Sequence, residues 1–397
     1  MMPGFRVLFV VSATLPNGAN DTPGEPRKDW TALARSLDAT VLDRSGVQHS
    51  ILGRLATRLF GVAIGQAWVA CARRHEHDVI LTDGEHIGIP LALLLKLAGA
   101  RTRHVTIGHR LTAAKKRFFF RWLKVHTHID RIALHARRQL ELAVSDLGIP
   151  AERLAFVPFH VDTEFWRPRP VAEERLICSA GLEFRDYPVL MRAVDGLDAQ
   201  VVIGAASHWS KRKNSAAGVE LPANVRVDAF DYGALRDLYA RAAVVVVPLA
   251  DVDFQAGVTT ILEAMAMGKP VVVTATQGQT DVVKDRRHTG RGAAPRVPSL
   301  LERLADQHGV DLESNGFYVS PGDPDALRRA IVYLLDHPAE RARLGAAARR
   351  TVEHLLTVDQ FANRIRELVE QACASRQALA ATPGAPAVLG VGPSPSS

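Results

Sequence analysis

The chain has 397 residues, a formal charge of +7, 47% hydrophobic and 23% charged residues; at roughly 100–200 residues per domain this is an ordinary soluble composition for two domains. No apolar run approaches the ~20 residues that span a bilayer, and the scattered basic residues come with no nucleic-acid motif, so nucleic acid is not an expected partner. Cys71, Cys178 and Cys373 are far apart and lack CxxC spacing, which argues for a reducing compartment and against structural zinc.

The opening "FRVLFVVSATL" reads as a first buried strand; no small-residue cleavage site follows a proper apolar core, so it is not read as a secretory signal. Further strands are expected at "ATVLD", "DVILT", "RHVTI" and "RIALH". Between the last two, "KKRFFFRWLKVH" (115–126) places Phe118, Trp122 and Val125 on one helical face and Arg117, Arg121 and Lys124 on another. That pattern suits an ordinary surface helix of an α/β domain; the alternative is an interfacial helix making a peripheral contact with anionic lipid. A proline-containing stretch at 158–172 reads as a hinge. A second set of strands follows at "LICSA", "QVVIG", "VVVVP", "KPVVVT" and "FYVS". Strands apolar on both faces that alternate with helices indicate parallel sheets. The expected fold class is therefore α/β, with two Rossmann-like domains facing across a cleft. Residues 1–160 form the first domain and 161–352 the second. A C-terminal helix over 353–375 packs back toward the first domain, and a small, proline-rich, disordered tail covers 376–397. Residues 285–312 read as an insertion between a helix and the next strand.

Ligands of open parallel sheets bind beyond the carboxyl ends of the strands. That rule selects Pro16–Gly18, Asp83–His86, Gly108–His109, Gly181–Asp186, Gly204–His208 and Asp251–Val258. In "DFQAGVTTILEAMAMGKPVVVT" (253–274) a helix is expected to begin near Gly257 and stop at Gly268. Its free N–H groups and dipole make an anion site. Gly257 lets a ligand approach the backbone, and Thr259 or Thr260 adds a hydroxyl. Glu263, about a turn further in, is placed to accept hydrogen bonds from vicinal sugar hydroxyls. A capped core helix with a surface glutamate explains the same letters. "DVD" (251–253) offers two acids for a divalent cation, but its place just before this helix disfavours a metal. There is no GxGxxG after a strand, no Walker loop and no nucleophile elbow, which disfavours a nicotinamide dehydrogenase or a P-loop kinase.

This stretch resembles the E-x7-E segment of retaining glycosyltransferases with the GT-B fold, sequence family 4 (glycosyl transferases group 1). "NVRVDAFDYGALRDLYARAAVVVVPL", "AFVPFHVDTEFWRP", "GFYVSPGDPDALRRAIVYLLDHPAERARLGAAARR" and "FRVLFVVSATLPNG" are similar to further elements of that family, from residue 5 to about 370. The resemblance implies that a nucleotide sugar sits mainly on the C-terminal domain and the acceptor on the N-terminal one. The diphosphate would rest on Gly257, Val258, Thr259 and Thr260, and the ribose on Glu263, with Gly18 in the first donor-side loop. Sugar transfer to an acceptor hydroxyl would retain anomeric configuration, need no metal or cofactor and serve carbohydrate or glycoconjugate biosynthesis. The acceptor would be a small molecule, a saccharide or a lipid-linked saccharide. "HVTIGHR" resembles the strand whose terminal histidine faces the donor sugar, which assigns His109 to catalysis. Asp83, Glu85 and His86 fall on the acceptor side. The expected location is cytoplasmic, including peripherally at the inner face of the membrane.

Two departures from the family pattern stand out. The first motif glutamate is Gln255, a neutral amide that hydrogen-bonds sugar but cannot balance developing positive charge; Asp251 and Asp253 are candidates to reach in instead. The "GR….KG" phosphate grip becomes Leu182 and Tyr187, leaving Arg185 as the expected diphosphate cation and Lys211 as second choice. They keep two alternatives open: a non-catalytic GT-B partner or nucleotide-binding subunit, and another GT-B enzyme such as a phosphorylase or nucleotide-sugar epimerase.

Overall fold

The run Val244–Val247 is four valines, none with any exposed surface. Successive strand residues point to opposite faces, so such a run demands cover on both. In this computed structural model, which describes residues 5–15, 21–204, 221–286 and 299–381, helices provide that cover for two parallel sheets. The first contains β1 (Val7–Val10), β2 (Thr40–Leu42), β3 (Val79–Thr82), β4 (Arg103–Gly108), β5 (Arg131–Leu134) and β6 (Leu154–Phe156), ordered β2-β1-β3-β4-β5-β6. The second contains β7 (Leu176–Ala180), β8 (Gln200–Gly204), β9 (Val225–Asp228), β10 (Val244–Val247), β11 (Val271–Thr274) and β12 (Gly316–Val319), ordered β12-β11-β10-β7-β8-β9. This is the doubly wound order, with a switch point between β7 and β10. The α/β expectation of two Rossmann-like domains holds. The edge strands β6 and β9 were not expected; each is short and only partly buried.

Alternation along each strand sets the cores. Val7, Phe9 and Val11 pack with Leu33 and with Phe361, Ile365, Leu368 and Val369 of the C-terminal helix Val358–Ala381. Leu8, Val10 and Ile80 face the opposite way, onto Ala67, Val69, Ile87 and Leu91. In the second domain Ile261, Leu262 and Met265 of helix Val258–Ala266 meet Ala348 and Val352 of helix Pro338–Leu355. Those two elements approach so closely that a Cβ at Gly345 would collide with the carbonyl of Gly268.

The chain passes between the domains near Val161 and again near Thr357, and these passages are bridged to each other. Val161 N–H donates to Leu356 O (2.9 Å) and Val358 N–H to Val161 O (3.3 Å). Arg349 ties the same region by donating to the carbonyls of Trp166 (2.8 Å), Ala266 (2.6 Å) and Thr163 (3.1 Å). Asp162 accepts Arg27 N–H at 2.8 Å, and the Arg27 guanidinium continues to Asp359 at 3.2 Å.

Three expectations need correction. Helix Val358–Ala381 extends past residue 375, because "ACASRQALAA" contains no helix breaker before Pro383. Within 285–312, Leu300–Gln307 is a helix with a Ser299–Glu302 capping box, and Leu301, Ala305 and Leu312 enter the core; residues 287–298 lie outside the described residues. In 115–126 the helix is only Ala114–Arg121. Lys124 takes φ +46° and Val125 turns into the core, so it does not share a face with exposed Phe118 and Trp122.

Candidate active site

A cleft of about 380 Å³ opens between the two sheets. Its C-terminal wall is the turn from β10 into helix Val258–Ala266. Gly257 caps that helix at φ +74°. A Cβ there would lie 2.9 Å from Val247 Cγ1 and 3.1 Å from Arg185 Nη1, so only glycine fits the turn. The N–H groups of Val258, Thr259 and Thr260 have no carbonyl partner within the helix, and all three residues line the cleft. The Thr259 side chain is exposed, whereas Thr260 is buried.

Arg185 lies directly beneath this helix start and is 7% exposed. Its Nε donates to Ala180 O (2.8 Å), Nη1 to Glu183 O (3.0 Å) and Nη2 to Thr260 Oγ1 (3.0 Å). Burial lowers its pKa, though a guanidinium stays protonated in proteins. Gly181, at φ +95°, leaves the space this guanidinium occupies. The residue therefore brings a fixed positive charge under the anion site while holding the Gly181–Arg185 turn to the helix. Gln255 lines the cleft, and its Oε1 is buried with no hydrogen-bond partner.

Glu263 lies one turn further along the helix and does not line the cleft itself. Burial pushes its carboxyl up to about 7, opposed by the Tyr239 hydroxyl, which donates to Oε2 at 3.2 Å, and by Arg185 and Lys28.

The N-terminal wall is made by the ends of β4 and β5. His109 is exposed, and its Nε2 donates to Asp83 O at 3.0 Å. A carbonyl only accepts, so Nε2 carries the hydrogen. Glu85 supports this loop: it accepts N–H bonds from His109 (2.9 Å) and Arg110 (3.1 Å) and pairs with Lys116 at 2.5 Å. Burial opposes its ionisation, but Lys116 and His109 outweigh that and hold it at about 2. Asp83 accepts Ser12 N–H (2.6 Å) and Oγ–H (2.8 Å), while burial pushes its pKa up. His86 is exposed beside it, with its pKa lowered first by burial.

The structure thus brings His109, Arg185, Gln255, Gly257, Val258, Thr259 and Thr260 to one cleft. Asp83 and Glu85 act on His109 from behind, and Glu263 sits deeper in the C-terminal wall. Gly18 and Lys211 lie outside the described residues. Neither motif aspartate is directed to the role of a missing glutamate: Asp251 accepts from Gln277 (3.1 Å), and Asp253 accepts from Thr112 across the domain boundary (2.8 Å). Among the described residues no group of three or more His, Cys, Asp or Glu side chains is placed to hold a metal.

Sequence reasoning missed His135, Gln139 and Phe159 on the cleft wall. His135 donates from Nδ1 to Val157 O (2.7 Å), leaving Nε2 buried and without a partner. Burial lowers its pKa to about 3, so the ring is a neutral acceptor. The strand-end rule, applied to "RIALHARRQ", would have found it. Arg110 was also missed; its guanidinium stacks over Phe254 at 4.7 Å, joining the two walls.

Residues 185–351 match the family model of the glycosyl transferases group 1. This part of the chain carries the sequence pattern of that family. The resemblance read from the 253–274 and 316–350 segments therefore holds. Among solved structures, sucrose-phosphate synthase from Thermosynechococcus elongatus aligns with TM-score 0.65 and 16% identity, over 93% of this chain and 100% of its own. Anabaena HepE in complex with UDP aligns with TM-score 0.63 and 16% identity, over 92% and 100%. The trehalose 6-phosphate synthase of Burkholderia multivorans aligns with TM-score 0.64 and 12% identity, over 96% and 100%. These similarities span both domains of the chain and establish its GT-B fold. No curated protein matches the chain.

Proposed function

We propose that the protein transfers a sugar from a nucleotide-sugar donor to an acceptor hydroxyl, with retention of configuration and without a metal or other cofactor. One observation carries this reading: the free helix start at Gly257–Thr260, with the Arg185 guanidinium fixed beneath it, faces His109 across the cleft. Backbone N–H groups and a buried cation are suited to a diphosphate whose negative charge grows as it departs. Glu263 takes the ribose hydroxyls. Gln255 Oε1 and His135 Nε2 are buried polar atoms without partners, a cost that sugar hydroxyls would relieve. That unmet capacity favours a working site over a decayed one. Gln255 also supports a second reading, a non-catalytic nucleotide-binding partner, because its amide cannot balance an oxocarbenium-like charge.

Anabaena HepE was solved with UDP and with UDP-glucose, which makes UDP the first nucleotide to test. The acceptor is assigned to the N-terminal side, near Asp83, Glu85 and His86, and is a small molecule, saccharide or lipid-linked saccharide. Residues 115–126 are read first as an ordinary surface helix, the alternative being a peripheral membrane contact through exposed Phe118 and Trp122. The test is thermal unfolding with UDP, GDP, ADP and TDP, with and without EDTA, followed by product analysis with the matching nucleotide sugar. A nucleotide at 100 times its Kd adds about 2.7 kcal/mol, a shift of several degrees. Stabilisation indifferent to EDTA and transfer with retained anomeric configuration are expected. Stabilisation without transfer to any acceptor would leave the non-catalytic reading in place.

A further inference from the structure

Helix Ile51–Phe60 turns its apolar side outward. It meets the body through its small residues: Gly53 is buried, and Ala56 and Thr57 are half-buried. The crossing with helix Val62–Ala72 is close, since a Cβ at Gly65 would lie 2.9 Å from Gly53 O. Ile51, Leu52, Leu55, Leu59 and Phe60 are 75, 55, 51, 63 and 67% exposed. Leu52, Leu55 and Leu59 fall on one stripe, with Arg54 and Arg58 beside it. A water-facing helix gains nothing from such a pattern.

Charge says what covers it. From Arg44 to His75 the sequence holds five arginines (44, 54, 58, 73, 74) and no Asp or Glu. The helices on this side of the first sheet continue the theme. Trp68 is 39% exposed, Leu97 77% and Trp122 78%, and residues 86–129 contain no acidic residue and nine Lys or Arg, of which Arg103, Lys116 and Arg117 pair with Asp130, Glu85 and Asp146. A second copy docked through this helix would set Arg54 and Arg58 against their own kind, with no acidic residue on the helix to pair them. An anionic lipid surface complements both the apolar stripe and its arginines. No helix among the described residues is long and apolar enough to cross a membrane, and at 1.5 Å per residue this one is far too short.

We infer that helix Ile51–Phe60 is a membrane-docking element, which lies in the headgroup region of an anionic bilayer with Leu52, Leu55 and Leu59 inserted and Arg54 and Arg58 on lipid phosphates. This surface is separate from the donor cleft and stands whether or not the protein transfers sugar. The test is co-sedimentation of the full chain with phosphatidylglycerol–phosphatidylcholine vesicles, alongside pure phosphatidylcholine. The wild type should bind the anionic vesicles selectively. A Leu52→Gln, Leu55→Gln, Leu59→Gln variant should lose binding by about tenfold or more while keeping its circular dichroism and melting temperature, because these side chains contribute little to the core. An Arg54→Gln, Arg58→Gln variant should lose the preference for anionic lipid and much of the salt dependence. Equal vesicle binding by wild type and the leucine variant would overturn the assignment, as would no wild-type binding at low salt. A wild-type dimer in light scattering that the leucine variant dissociates, without vesicle binding, would overturn it in favour of a second copy.

Discussion

Glu263 carries a titration that reports its surroundings. Its folded pKa is about 7, against about 4.3 for a free glutamate, so the fold resists its ionisation. Below the free value both states are protonated and the residue contributes nothing. As pH rises toward 7 the unfolded chain ionises first, and stability is lost across that window. Glu263→Gln should abolish this loss, so its melting temperature should pull above wild type by a few degrees between pH 5 and 7 and stay above thereafter. A constant gap over that range would show that the carboxyl titrates normally. Glu263→Ala should weaken nucleotide binding by about 1–3 kcal/mol, the scale of hydrogen bonds to a charged group; calorimetric titration with the stabilising nucleotide checks it. Gln255→Glu addresses the departure from the family pattern. If the site is built around the amide, transfer should fall, because a carboxylate would replace the uncharged Oε1 and NH2 that Gln255 offers in the cleft. A large gain in transfer would mark a decayed site instead. Residue types at strand ends made much of this site legible, and the helix start at Gly257 was readable because glycine, hydroxyls and an acid recur there at helical spacing. Arg185 was legible as a cation but not as a buried one, since its partners Ala180 and Glu183 are backbone carbonyls that no side-chain pattern announces.

Elements were legible where their pattern was strong. "LICSA" and "QVVIG" became β7 and β8 with the expected bounds, because their middle residues Ile177, Cys178, Val201, Val202 and Ile203 form apolar runs buried on both faces. The edge strand β9, "VRVD", alternates buried and exposed residues and sits in a segment whose helix drew the reading. Helix-to-helix distance is the harder quantity. Gly345 lies within helix Pro338–Leu355, where propensity alone says alanine should stabilise by about 0.5–1 kcal/mol. The structure reverses the sign, because the added Cβ would strike the Gly268 carbonyl, which is backbone and cannot swing away. Gly345→Ala should therefore destabilise by about 1–3 kcal/mol, seen as a lower denaturation midpoint. Stabilisation would mean that the two elements sit further apart.

At the scale of the whole molecule, the two domains were legible from alternating strands and helices, whereas the side-chain pairings across their boundary were not. Thr112, Gln139 and Arg137 of the first domain hydrogen-bond to Asp253 and Asp281 of the second, pairings between residues more than a hundred positions apart. The C-terminal helix gives the joining a further consequence. It follows the second domain in sequence, yet it fills the apolar face of the first sheet. Severing the chain at residue 160 would therefore yield two fragments, each lacking a part that the other carries. Residues 1–160 alone should be insoluble for want of that cover, while co-expression with residues 161–397 should reassemble a one-to-one complex through a clasp already built into the second fragment. Soluble, monomeric 1–160 would show that the clasp is dispensable. The last helix is thus the part of the protein that makes a broken chain repairable.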